Sequence, residues 1–230
     1  NIFRNLKETA GNGIDDDGNG RIDDVNGWNS YDQTGNVADD NGHGTEMAGI
    51  IGAAGFNTGI VGLAYNTRLI PVKVSSAEGL ATSSTIIDGI NYAVRNRASV
   101  INLSLASQID DPAVKAAVNF ATEFNVTVVC AMGNDGANIK EYPAAWAKEQ
   151  KIIAVGASNS SDARPAWSTW GDWITVVAPG DGVLTTALGS GYTVSSGTSH
   201  AAAYTSGMAA LIKGMKPGYT PAMVRDVIKN

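Results

Sequence analysis

Short apolar runs alternate along this chain with stretches of helical period. That alternation restricts the chain to a mostly parallel sheet whose strands are joined by helices. Leu69 to Val74, Val100 to Leu105, Val126 to Ala131 and Ile152 to Val155 read as buried strands. Helices are expected over Glu46 to Ala54, Ser83 to Arg97, Ala113 to Phe124, His200 to Met215 and Pro221 to Ile228. In the second of these, Ile86, Ile90, Ala93 and Val94 share one face. Asp111-Pro112 opens the third with a capping carboxylate followed by proline.

Composition narrows the class of partner. A net charge of −6 with no long basic run argues against nucleic acid and anionic membranes. No stretch is apolar enough to span a bilayer. The single cysteine, Cys130, excludes an internal disulfide, and its setting in Val126–Ala131 predicts a buried structural thiol. The 27 glycines suit a fold with recurrent tight turns between strands and helices.

Three segments carry chemistry. Asn41-Gly42-His43-Gly44-Thr45 and Ser196-Gly197-Thr198-Ser199 present a histidine and a serine among small residues, each at the expected start of an apolar helix. Ala131-Met132-Gly133-Asn134 ends an apolar strand in a side-chain amide. Alone, Ser199 reads equally as a helix N-cap, His43 as a capping histidine and Asn134 as a turn residue. Together they supply a nucleophile, a general base and a donor for an oxyanion.

In this order the three motifs resemble those of the subtilisin-like serine peptidases, and the resemblance covers nearly all 230 residues. It implies a three-layer α/β fold with a mostly parallel central sheet flanked by helices, a single peptidase domain over residues 1–230. It also implies a serine endopeptidase that passes through an acyl-enzyme on Ser199, with His43 as base and Asn134 in the oxyanion hole. Leu103, Ser104 and Leu105 resemble the strand whose backbone pairs with substrate. Tyr142-Pro143-Ala144 resembles the segment after the specificity pocket, which puts Glu141 near the floor of that pocket. A buried carboxylate there favours lysine or arginine before the scissile bond; a surface glutamate neutralised by Lys140 is the alternative.

Departures from the family pattern are concentrated near the site. Glu46 stands where a second histidine is common, His200 where methionine is usual, Ala106 in place of glycine and Ala203 in place of proline. Adjacent helical side chains diverge by about 100°, so His200 is expected to point away from the reacting side of Ser199 and to serve packing.

The family's catalytic aspartate lies on an apolar strand before the histidine, and no such strand is legible here. Asp32 is preceded by polar residues, and Asp39 and Asp40 sit close to His43 in a polar loop, so none is assigned. Asn1 to Asn5 resembles the segment that follows the aspartate strand, and a chain beginning Asn-Ile-Phe reads as processed or cut from a precursor. The domain is therefore expected to be incomplete at its N-terminus. The expected partner is a second polypeptide supplying the strand, either a docked N-terminal fragment or another subunit. The resemblance further implies a peptide or protein substrate, a propeptide inhibitor and a secreted or extracytoplasmic setting. A peptide-binding pseudopeptidase and a transpeptidase or macrocyclase remain open as alternatives.

One segment points to a metal. Asp15, Asp17 and Asn19 stand at the first, third and fifth positions of an EF-hand-like loop, Gly20 at the turn, Arg21 offering a carbonyl and Asp23 at the ninth position. Asn26 replaces the usual glutamate at the twelfth, and Asp24 is available to complete the shell. Five acids within ten residues repel one another unless a cation neutralises them, which favours Ca2+.

Overall fold

The computed structural model describes residues 1–55 and 59–230. Its core is a four-stranded parallel sheet of β3 (Val100–Leu103), β4 (Thr127–Ala131), β5 (Ile153–Ser158) and β6 (Val176–Pro179), in that spatial order. A separate parallel pair joins β1 (Trp28–Asn29) to β2 (Val72–Lys73), and β7 (Val183–Ala187) pairs antiparallel with β8 (Gly191–Ser195). The helices are α1 (His43–Gly52), α2 (Ser83–Arg95), α3 (Pro112–Glu123), α4 (Thr198–Met215) and α5 (Pro221–Lys229).

The three layers follow from the period-2 alternation of buried strands. On β4, Val128 and Cys130 face a core shared with Ile90 and Val94 of α2 and Val118 of α3. Val129 and Ala131 face the opposite core, with Ala201, Ala202 and Ala209 of α4 and Val224 of α5. Every residue of β4 and β5 is buried. Full burial of a side chain such as Val129 contributes about 1.5–3 kcal/mol. Small alanines on α4 let that helix lie close to the sheet. Cys130 is buried and free, and burial pushes its thiol pKa up.

The helices sit close to their sequence-based bounds, and their caps explain the starts. Asp111 accepts from the amides of Ala113 and Val114 at 2.8 and 3.3 Å, ahead of Pro112 at the first turn of α3. Thr82 forms a reciprocal capping box with Thr85 at α2.

The sheet is interrupted. β2 and β3 are not paired with each other, and a cleft of about 2080 Å³ lies between them. Val72, Val74, Val100 and Asn102 line its walls, with Ile90 of α2 and Ala48 of α1 also lining it. Among the described residues, both facing strand edges are therefore open ladders.

Candidate functional site

α1 begins at His43 because the residues before it are built to start a helix. Gly42 has φ 102°, in the left-handed region that favours glycine. Asp39 accepts from the amides of Asn41, Gly42 and Thr45 and from the Thr45 hydroxyl, at 2.6–3.0 Å. Burial works to raise the Asp39 pKa, but the Thr45, Gly42 and Asn41 hydrogen bonds outweigh it and hold the carboxyl low. Asp39 is thus committed to the helix end. His43 is exposed, yet the surrounding chain still desolvates its imidazole. That desolvation, with His200, lowers its pKa, while Glu46 and Asp39 pull the other way.

Ser199 is the second residue of α4, where backbone N–H groups have no intrahelical acceptor. Its Oγ–H donates to the Ser104 carbonyl at 3.5 Å, and Ser104 Oγ–H donates to the Ser199 carbonyl at 3.0 Å. Asn102 Nδ2 donates to Ser104 Oγ and Ser206 Oγ–H to Asn102 Oδ1, both at 2.9 Å. These bonds fasten the end of β3 to α4. Leu103 is buried there and Leu105 half-buried against the core, while Ser104 both bonds to Ser199 and lines the cleft. Among the described residues, Ser199 and His43 share no direct side-chain hydrogen bond; packing of α1 on α4 brings their helices together.

Asn134 is exposed just past β4, and its orientation is imposed by Thr198. Asn134 Oδ1 accepts from the Thr198 amide at 2.9 Å and the Thr198 hydroxyl at 3.1 Å. Its Nδ2 is thereby turned outward. A Cβ placed on Gly197 would lie 3.6 Å from Asn134 Nδ2, 3.7 Å from Ser199 N and 3.3 Å from His200 Nδ1. The missing side chain leaves a small cradle bounded by these three nitrogens, with His200 Nδ1 the nearest. Sequence reasoning missed Thr198, whose hydroxyl carries no positional signal within the Gly-Thr-Ser run.

Glu141 is 6% exposed, with Oε2 buried and unpartnered. Its carboxyl occupies the space that a side chain on Gly133 would fill, and Gly133 has φ 97°. Burial and then Asp135 push the Glu141 pKa up to about 7. Tyr142, next in sequence, exchanges backbone hydrogen bonds with Ser107 at 2.7 and 3.0 Å. The segments 104–107, 133–134 and 141–142 are thus joined around Ser199, with the Glu141 carboxyl against Gly133.

The acidic loop divides into separate groups. Glu8, Asp15 and Asp17 bring carboxylate oxygens within 4.8 Å of one another. Glu8 Oε1 also accepts from the Asp16 and Asp17 amides, and Asp15 from the Asn19 and Gly20 amides. Asn19 Oδ1 is buried without a partner. Asp23 turns instead to the amides of Gly11, Asn12 and Gly13, and Arg21 pairs with Asp88 while lying 4.8 Å over the Trp28 ring. Asp24 is fully buried and accepts from Asn5 and Asn19 side chains. Glu8 escaped sequence reasoning because it lies outside the EF-hand-like spacing.

Residues 4–230 match the subtilase family. The chain is 39% identical over 195 residues to alkaline elastase YaB of Bacillus sp. (strain YaB), covering 85% of this chain and 51% of that protein. It is 36% identical over 205 residues to the minor extracellular protease Epr of Bacillus subtilis (strain 168), covering 88% and 31% respectively. It thus spans about half the length of the elastase and less of the second protease. The crystal structure of a cold adapted subtilisin-like serine proteinase superposes with a TM-score of 0.81 at 32% identity, over 88% of this chain and 72% of that one. With the family matched across almost its whole length, this chain belongs to the subtilases.

Proposed function

We propose that residues 1–230 carry the nucleophile, base and oxyanion donors of a serine endopeptidase. The observation that carries this reading is the absent side chain at Gly197, which leaves Asn134 Nδ2 and the Ser199 amide nitrogen 3.6 and 3.7 Å from one point beside the serine. His43 takes the Ser199 Oγ proton as Oγ attacks the peptide carbonyl, and the carbonyl electron pair moves onto oxygen facing those donors. His43 then returns the proton to the leaving amine, and water repeats the sequence on the acyl-enzyme. Leu103, Ser104 and Leu105 hold the substrate backbone.

The base needs a carboxylate to fix its tautomer, and Asp39 is occupied at the helix end. We assign that role to a strand not among residues 1–230 that fills the cleft between β2 and β3, either continuous with residue 1 or docked as a second polypeptide. The support is physical: two open ladders face one apolar cleft, the arrangement that strand addition satisfies. A propeptide inhibitor fits the same reading.

Lysine or arginine before the scissile bond is the preferred substrate class, supported by the unpartnered buried oxygen of Glu141 and the nearby Asp135. Ca2+ is the proposed ligand of the acidic loop. Glu8, Asp15 and Asp17 with the orphaned Asn19 Oδ1 form an all-oxygen donor set that fits a hard cation. Such an ion would order the loop and take no part in the chemistry. An extracytoplasmic setting is in keeping with the extracellular relative.

Intact-mass analysis of the native preparation before and after a serine-reactive fluorophosphonate tests the reading. A single adduct on Ser199 is expected, with the carboxylate strand found on the same polypeptide ahead of residue 1 or on a co-purifying one. A folded chain that takes no label would overturn the peptidase and leave a peptide-binding protein, and products joined to an added amine would identify a transpeptidase.

A further inference from the structure

Two of the departures from the family pattern, Glu46 and His200, meet in the fold. His200 Nε2 lies 3.1 Å from Glu46 Oε2, with the imidazole 3% exposed and the carboxylate 21%. Glu46 follows His43 by three residues on α1, and His200 follows Ser199 by one on α4. The contact therefore ties the helix of the base to the helix of the nucleophile. Farther along α1 the Thr185 hydroxyl donates to the Glu46 carbonyl at 2.6 Å, so the backbone that carries Glu46 is itself anchored.

The other ring nitrogen reaches the oxyanion cradle. Nδ1 is buried without a partner and lies 3.3 Å from the point off Gly197 that also faces Asn134 Nδ2 and Ser199 N. A carboxylate oxygen accepts, so in the neutral ring this contact favours the tautomer with its hydrogen on Nε2. Burial lowers the His200 pKa against the opposing pull of Glu46 and the Gly197 carbonyl. The ring is accordingly neutral near pH 7 and gives an oxyanion no hydrogen bond from Nδ1, so its part there is to pack against Gly197. The charged or titratable groups acting on this region are Glu46, His43 and, from the loop before α1, Asp39.

Resting on the peptidase reading, we propose that the Glu46–His200 pair is a positioning element. It sets the distance of the His43 helix from the Ser199 helix and braces one wall of the oxyanion cradle, without touching the scissile bond. A small misplacement of reacting groups is costly, on the order of 10²-fold for about 1 Å, so a partial loosening is expected to cost about 10-fold in kcat.

The test uses E46A, E46Q, H200M and the double variant E46A/H200M, with kcat referred to fluorophosphonate-titrated sites. E46A and H200M should each lose about 10-fold in kcat with little change in KM, and the double variant should lose no more than the worse single. E46Q keeps an acceptor for Nε2–H and should retain kcat closer to wild type, while its acid limb moves to lower pH because the Glu46 charge favours protonated His43. The chain holds two histidines, so NMR titration of both imidazoles gives a reading independent of turnover: the His200 resonance should titrate at lower pH in E46Q. Should H200M fail to fold, H200Q takes its place. An unmoved His200 resonance, losses that multiply in the double variant, or a lowered Tm with unchanged kcat per site would each overturn the role. A wild type that takes no fluorophosphonate would overturn the peptidase reading and this role with it; a labelled wild type with any of the preceding results overturns the role alone.

Discussion

Thr198 donates both its amide and its hydroxyl to Oδ1 of Asn134, at 2.9 and 3.1 Å. An amide side chain can present either end, and this pair of bonds decides which end faces the cradle. In the proposed mechanism the residue before Ser199 thereby aims the donor that faces the developing oxyanion.

Asn134→Ala should cut kcat by about 10²–10³-fold with little change in KM, because a donor of this kind acts on the transition state. Thr198→Val keeps the amide bond and loses the hydroxyl, so a smaller loss, about 10-fold, is expected. Steady-state kinetics on one peptide series checks both. Equal losses in the two variants would mean that Thr198 does more than aim the amide.

Glu141 should make substrate choice depend on pH. Its carboxyl is raised to about 7, so it gains charge as pH rises through that value. The ratio of kcat/KM for lysine or arginine over leucine before the scissile bond should climb between about pH 6 and 8 and flatten in Glu141→Gln, with a loss of roughly 100-fold for basic residues at pH 8. The same shift has a stability consequence. The folded state holds this proton more tightly than the unfolded chain, so the contribution is full below about pH 4.5 and is lost as pH rises through about 7. Denaturant midpoints of wild type and Glu141→Gln should therefore converge at the acid end of that window and part at the alkaline end.

Calcium should act on stability. At 100 times its Kd, an ion bound only by the folded chain adds about 2.7 kcal/mol. For a domain of this size that is roughly 5–10 °C in Tm. Asp15→Asn and Glu8→Gln should abolish most of the shift while initial rates at low temperature stay unchanged. A shift that survives both variants would place the ion elsewhere.

Gly49 packs α1 tightly against β7. A Cβ there would collide with Thr186 Oγ1, which is already committed to the Thr45 carbonyl at 2.7 Å, and would crowd the Thr185 hydroxyl. Gly49→Ala should cost about 1–3 kcal/mol through overpacking, read as a lowered denaturant midpoint. An unchanged midpoint would show that α1 can shift freely against the hairpin.

What the sequence revealed was whatever depends on local pattern. β3, β4 and the first half of β5 were legible because Val100 to Leu103, Thr127 to Ala131 and Ile153 to Val155 lie in apolar runs, and α3 announced its start through Asp111, whereas the run Leu69 to Val74 forms only the two-residue, half-buried β2. β6 was not read because Val177 is half exposed on a strand edged by Pro179. The β7–β8 hairpin was not read because Thr185, Thr186, Gly191 and Thr193 dilute its hydrophobic signal. At the site, His43, Ser199 and Asn134 stand in recognisable motifs. Their orientation was invisible, since it depends on Thr198, on the Ser104 bonds and on the meeting of Glu46 with His200 across 154 residues. His200, expected from helical geometry to serve packing, places one ring nitrogen against Glu46 and the other 3.3 Å from the point off Gly197.

The cleft between β2 and β3 also makes completeness of the sheet a thermodynamic variable. A strand that docks there from a separate chain stabilises the fold by mass action, so its occupancy obeys a dissociation constant and falls on dilution. A strand continuous with residue 1 obeys only an effective concentration and is indifferent to dilution. In the first arrangement peptidase activity is governed by protein concentration as much as by chemistry, and the same contacts that close the sheet set the threshold at which the site becomes competent.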